Sequence, residues 1–174
     1  MTCYNCQKDP IFNNLCQKCL IKSFEKKVRK DLRGQLKKGS KIYIEDKKDS
    51  NGFALKMFMA KFELPLKKSS KNVADFVLIP WSLENEVLEF LDLFLQGDIN
   101  KIKNQYSIKM FKNITQNEID AYAKINGYKN LSKKKTSITA IEKMIDSLEL
   151  KYPGIKRSVL NGVKEYKEII LISK

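Results

Sequence analysis

The sequence predicts an α/β fold: a shortened parallel sheet flanked by helices, with a four-cysteine metal knuckle in front of it. Short β-rich runs alternate with amphipathic helical periods along the chain, the pattern of strand–helix–strand crossovers. The 174 residues are 43% hydrophobic, which is enough for a real core and too much for a disordered tail. All the cysteines, four in number, fall within the first nineteen residues.

Cys3, Cys6, Cys16 and Cys19 read C-x2-C-x9-C-x2-C. Two intervening residues let both thiolates of a tight turn face one ion, and a second such pair completes a tetrahedral S4 site. Disulfides are the alternative, but no signal-like segment precedes the cysteines and a chain of this length needs no staples. A structural zinc ion on Cys3, Cys6, Cys16 and Cys19 is therefore expected, with residues 1–20 forming a zinc knuckle. Protein fills all four ligand positions, so such an ion has none open for catalysis.

Charge points to a polyanion. Lys and Arg number 34 against 20 Asp and Glu, a formal net charge of +14, and nucleic acid is the default partner. A Lys-rich proteome would raise the count as well. Histidine is absent, which removes the commonest general base and catalytic metal ligand. With every thiol committed to metal, an enzyme would have to work through Asp, Glu, Lys, Ser or Tyr. No apolar run reaches the length of a membrane span, and no targeting segment is visible. A soluble, cytoplasmic chain with reduced cysteines and no membrane partner is expected.

The elements follow in order. Residues 21–38 predict a basic linker helix, with Phe24, Val28, Leu32 and Leu36 as its buried stripe. Lys22, Lys26, Arg29 and Arg33 recur on another face, a solvated surface that could also track phosphates. Gly39-Ser40 ends the helix, and Lys41–Ile44 alternates as a strand. A second helix covers Gly52–Lys61, a strand Lys61–Leu66, a basic loop Lys67–Asn72 and an apolar strand Asp75–Ile79. Ser82 suits the N-cap of an apolar helix through Leu95, closed by Gly97. Trp81 ahead of it could be a stacking platform or a core residue. Tyr106–Phe111 reads as a strand, and Thr115 with Glu118 forms a capping box for a helix ending near Asn126-Gly127. A basic linker, Asn130–Lys135, leads to a helix marked by Ile138, Ile141, Ile145 and Leu148. Pro153-Gly154 stops it, and a last helix starts near Lys156.

Taken in order, these pieces resemble the tRNA 2-thiolation branch of the PP-loop ATP pyrophosphatases, the adenylating sulfurtransferases that make 2-thiouridine. A family phrase like CFxxxFExKVRxxI is similar to Cys19-Leu20, Phe24-Glu25 and Lys27-Val28-Arg29. GDKVLVAxSGGKDS is met by Gly39-Ser40-Lys41-Ile42 and Lys48-Asp49-Ser50. GHNLDDEAxxxLMNLLRGD is met by Pro80 to Val87 and by Leu95-Gln96-Gly97-Asp98. The later phrases fall at Ile108-Lys109, Glu118-Ile119, Tyr122-Ala123, Asn126-Gly127, Leu148-Glu149 and Pro153-Gly154.

The resemblance implies a PP-loop/HUP-like fold and, equally, a set of losses. Glu45-Asp46-Lys47-Lys48 stands where the family's Ser-Gly-Gly lets backbone N–H groups wrap a pyrophosphate. Asp49 and Ser50 are the vestigial nucleotide-binding residues, and either could simply cap a helix. The family's acidic LDD has become Leu83-Glu84-Asn85, and the sulfur-carrying cysteines are missing. ATP binding of the usual kind and an iron–sulfur cluster are not expected. On this view residues 39–130 are a degenerate PP-loop α/β domain and 131–174 a C-terminal helical segment. The expected role is a non-catalytic tRNA-binding or partner subunit in tRNA uridine 2-thiolation, beside an active thiolase paralogue. Two alternatives stay open. One is an active ATP-dependent thiolation enzyme using Asp49, Ser50 and Glu84, and the other a generic zinc-knuckle RNA-binding scaffold.

Overall fold

The computed structural model describes residues 2–62, 65–97, 107–129 and 140–172, apart from the side chains of 164 and 167–172. The elements run α1 (Gln17–Leu32), β1 (Lys41–Ile44), α2 (Ser50–Ala60), β2 (Lys67–Lys68) and β3 (Phe76–Ile79). Then come α3 (Leu83–Leu95), β4 (Ser107–Lys109), α4 (Gln116–Ile125), α5 (Ala140–Lys151) and α6 (Ile155–Ile172). Among the described residues the strands pair in parallel, in one sheet of order β2-β1-β3-β4. The α/β class and the parallel sheet are as the sequence predicts.

Two compact units make up the chain. The first comprises Met1–Ser82 and Gln105–Ser132, and holds the sheet with α1, α2 and α4. Ile42, Leu78 and Ile108 come from the three neighbouring strands β1, β3 and β4 and are buried between helices. Against them α1 seats Phe24, Val28 and Leu32, the expected stripe, while α2 contributes Leu55 and Phe58. Helix α1 opens four residues earlier than expected, inside the cysteine motif, and stops before Gly34, whose φ of +82° suits only glycine cheaply.

The strand expected over Lys61–Leu66 does not form at Lys61, Phe62, Pro65 or Leu66. Pro65 has no N–H to give a ladder. Pairing begins at Lys67, inside the expected basic loop, where Lys67 N–H reaches Ser40 O at 3.0 Å and Ser69 N–H reaches Ile42 O at 2.8 Å. Tyr106, Asp98, Ile138 and the basic linker Asn130–Lys135 lie outside the described residues.

The second unit, Leu83–Asn104 with Lys133–Lys174, contains α3, α5 and α6. Leu83 and Val87 of α3 meet Ile145 of α5 and Leu160 of α6 in a small buried cluster. Helix α3 is buried only at its first turns, since Phe94 and Leu95 at its end are exposed. Among the described residues no helix is long and apolar enough to cross a membrane.

Glu149 fixes the turn between α5 and α6. Its carboxylate accepts the N–H of Lys156 at 3.0 Å and that of Gly154 at 2.8 Å, two donors that the start of a helix leaves unpaired. Those N–H groups, Lys156 first, hold the Glu149 carboxyl below its usual range. A depressed folded-state pKa means the stabilisation is present above the ordinary glutamate range and is lost as pH falls through the lowered value. Glu149→Ala should therefore cost about 1 kcal/mol near neutrality, as loss of a cap does. The gap to the parent should close in acid, as read by thermal unfolding across pH.

Candidate functional site

The cysteines lie in two turns, the second running into α1. Cys3 N–H bonds Lys8 O at 2.8 Å, Gln7 N–H bonds Cys3 O at 3.0 Å, and Leu15 N–H bonds Phe12 O at 2.8 Å. Gln7, Asn13 and Asn14 adopt positive φ of 59°, 44° and 56°, so the chain reverses sharply at both turns. The result brings all four Sγ atoms within 4.8 Å of one another. Cys6 and Cys16 are 3.3 Å apart, and Cys6 and Cys19 are 3.6 Å apart. Cys3 and Cys16 are buried, Cys19 is half-buried and Cys6 is exposed.

Such crowding splits the acidities. The backbone of Cys16 draws the Cys3 thiol down to about 6, whereas the neighbouring thiols of Cys16 and Cys6 push Cys19 up to about 12. Four thiolates this close repel one another, and a bound cation removes that repulsion. The donor set is four thiols with no nitrogen or oxygen ligand, the chemistry of zinc or of iron–sulfur ligation.

Helix α1 leads away from this group, and three side-chain ties fix it to α4 and the turn before it. Lys27 Nζ reaches both Glu118 oxygens at 2.7 and 2.8 Å, and Tyr122 Oη donates to Glu25 at 3.2 Å. Asn113 Nδ2 donates to Asp31 at 2.8 Å. Thr115 does cap α4, accepting from Glu118 N–H at 3.3 Å, but the Glu118 carboxylate turns to Lys27. The expected RNA-facing residues Lys22, Lys26, Arg29 and Arg33 are all exposed. Arg29 also sits over Phe58 and Phe62, its Cζ at 5.8 and 5.7 Å from their centroids, and part of its role is to cover that apolar edge. Lys18, exposed one turn before Lys22, carries the same stripe up to the cysteine group.

The loop between β1 and α2 closes on the helix it precedes. Asp49 is the N-cap of α2, accepting from Gly52 N–H at 2.8 Å, so the capping role applies to it. Ser50 Oγ donates to Asp120, and Gln116 Nε2 bonds Ser50 Oγ at 3.2 Å, Asn51 at 2.7 Å and Asp120 at 2.9 Å. Sequence reasoning missed this polar lock between α2 and α4, since buried amides carry no periodic signal. Lys47 O stands 1.9 Å from where a Cβ on Gly52 would lie, so the carbonyl rests on the first turn of α2. Asp46 is tied to Lys56 at 2.6 Å, which lowers its pKa.

Glu84 lies in the first turn of α3. It belongs to the second unit, 4.0 Å from Lys156, which also pairs with Asp146 at 2.8 Å.

Sheet order, parallel pairing and the placement of α1, α2 and α4 define a parallel α/β fold. Among solved structures the chain is similar to the U34-tRNA thiolase NcsA from Methanococcus maripaludis, described with its [4Fe-4S] cluster. The TM-score is 0.76 at 17% identity, over 97% of this chain and 87% of that one. No protein-family model and no curated protein matches the sequence.

That likeness corrects the cofactor expectation of structural zinc with no iron–sulfur cluster. A protein of this fold carries a [4Fe-4S] cluster, and the four-cysteine group here is a donor set that could take iron. The physical reason for the error is that paired C-x2-C spacing reports a tetrahedral thiolate site and not which soft metal fills it.

Gly52→Ala should destabilise the first unit by about 1–3 kcal/mol, the range for forcing a methyl into packed space. The measurement is urea unfolding. An unchanged midpoint would mean that the loop carbonyl does not rest on α2.

Proposed function

We propose that this chain serves tRNA uridine thiolation in the cytoplasm as a non-catalytic subunit. In this role it binds tRNA beside an active thiolase paralogue that performs the ATP chemistry. The observation that carries it is the fold likeness to a tRNA thiolase over 97% of the chain. The non-catalytic part is supported by the closed β1–α2 loop, where Lys47 O covers the α2 turn that an open phosphate cradle would leave to its ligand. It is also supported by cysteine usage, since all four thiols gather in the amino-terminal group and none remains to carry sulfur.

In this role Lys22, Lys26 and Arg33, with Lys18 extending the row, meet phosphates of the tRNA, while Arg29 shares that task with packing. Phosphate contacts position an RNA and do not read its sequence, so recognition of the uridine falls to the active partner. A variant with Lys22→Ala, Lys26→Ala and Arg33→Ala should bind tRNA at least about tenfold more weakly. Its plot of log affinity against log salt should be shallower by about 2–3, near one per lost contact. Filter binding at several salt concentrations checks this, and a variant matching the parent in affinity and slope would refute a tRNA-facing ridge.

Cys3, Cys6, Cys16 and Cys19 hold iron through thiolate ligation in this proposal. The four sulfurs lie within 4.8 Å of one another, close enough to share one metal group. Iron binding must displace the protons of the group, most of all from Cys19, so affinity falls as pH falls. Protein prepared without oxygen should contain iron, show thiolate-to-iron absorption, and lose both on acidification or in Cys16→Ser. Elemental analysis that found zinc and no iron would contradict it.

A further inference from the structure

We infer that the ring of Tyr4 is a stacking platform for an unpaired base of an RNA strand, set at the head of the α1 cation row. This role rests on the tRNA-facing reading of α1 and adds to it a contact that phosphates cannot make. Tyr4 lies in the first cysteine turn, which the bond from Cys3 N–H to Lys8 O closes at 2.8 Å. Its side chain stands outside any core, with Tyr4 77% exposed, whereas Phe12, the other aromatic of these turns, is half-buried.

Although exposed, the ring is held in place. Asn14 Nδ2 donates to the Tyr4 hydroxyl at 2.8 Å, and Tyr4 N–H donates to Asn14 O at 3.1 Å, so one residue grips both ends. Asn14 does so from the left-handed region, at φ 56°, which asparagine enters more readily than most residues. With its hydroxyl and N–H satisfied, what Tyr4 still offers is the face of its ring. A ring that is already fixed loses little freedom on binding. Asn14 stands just ahead of Cys16, and α1 opens at Gln17, so the clasp ties the ring to the segment that enters the helix. Exposed Lys18 and Lys22 begin the cation row there, and exposed Lys8 belongs to Tyr4's own turn. A fixed aromatic face beside cations suits a single strand, whose bases stack on the ring while ammonium groups meet its phosphates. A paired duplex keeps its bases stacked inside and presents none to such a ring.

The test titrates the full chain, prepared without oxygen, with a short unstructured RNA strand and separately with a fully paired RNA duplex. Tyr4→Leu should bind the strand about fivefold or more weakly, as release of one stacked base does, and bind the duplex as the parent does. Its salt slope should stay the same, because no charge is removed. Tyr4→Phe keeps the ring face and should hold the strand almost as tightly as the parent. Ultraviolet cross-linking of the unaltered chain to the strand should place an adduct on the peptide that holds Tyr4, a readout that needs no variant to fold. Equal loss on strand and duplex, unchanged strand affinity in Tyr4→Leu, or no adduct at that peptide overturns the platform. The ridge variant on α1 should weaken strand and duplex alike. A ridge variant that matches the parent refutes the tRNA-facing row, whereas a Tyr4→Leu that matches it refutes the platform alone.

Discussion

Phe24 lies flat on Tyr122, ring centroids 4.0 Å apart and planes 11° from parallel, with both side chains wholly buried. That stack joins α1 to α4, and Phe111 closes on its side at 5.4 Å. Burial and the Glu25 carboxylate raise the Tyr122 hydroxyl far above its ordinary range, so it stays a neutral donor to Glu25. Lys61 then meets Glu25 at 3.2 Å, which leaves the half-buried carboxylate paired. Truncating such an aromatic costs about 3–5 kcal/mol, more than the exposed ion pairs around it could supply. Because α1 begins at Gln17, inside the cysteine motif, seating this helix also orients the four-thiol group and the row of cations that leads from it.

The loop before α2 leaves no bare backbone at the start of that helix. A cradle needs bare backbone at a helix start, because side chains occupy the space and absorb the N–H donors. Here Asp49 takes the Gly52 N–H, Lys47 O rests on that glycine, and Asp46 pairs with Lys56. Glycine at 52 makes room for the loop carbonyl.

Much of the first unit was legible in the sequence, for identifiable reasons. The stripe Phe24, Val28, Leu32 gave α1, and strand β1 falls at Lys41–Ile44 as its alternation indicates. Thr115 caps α4 as its spacing to Glu118 suggests. Pairing at Lys67–Lys68 was not legible, since two exposed lysines carry no apolar signal and owe their strand to the edge of β1. Nor was the turn of Glu118 away from its own helix toward Lys27, a contact between residues 91 apart in the chain. The cysteine spacing located the four-thiol group but not what could fill it, because thiolate geometry is shared by zinc and iron.

The most direct test of the proposed non-catalytic role is ATP cleavage by the iron-loaded chain in the presence of saturating tRNA. Release of AMP and pyrophosphate would be followed over a single turnover. A chain that holds tRNA through α1 while its β1–α2 loop is closed should retain the tRNA and release neither product above the protein-free rate. Formation of AMP with pyrophosphate, lost on Ser50→Ala, would show that the loop opens around ATP and that the chain is an enzyme.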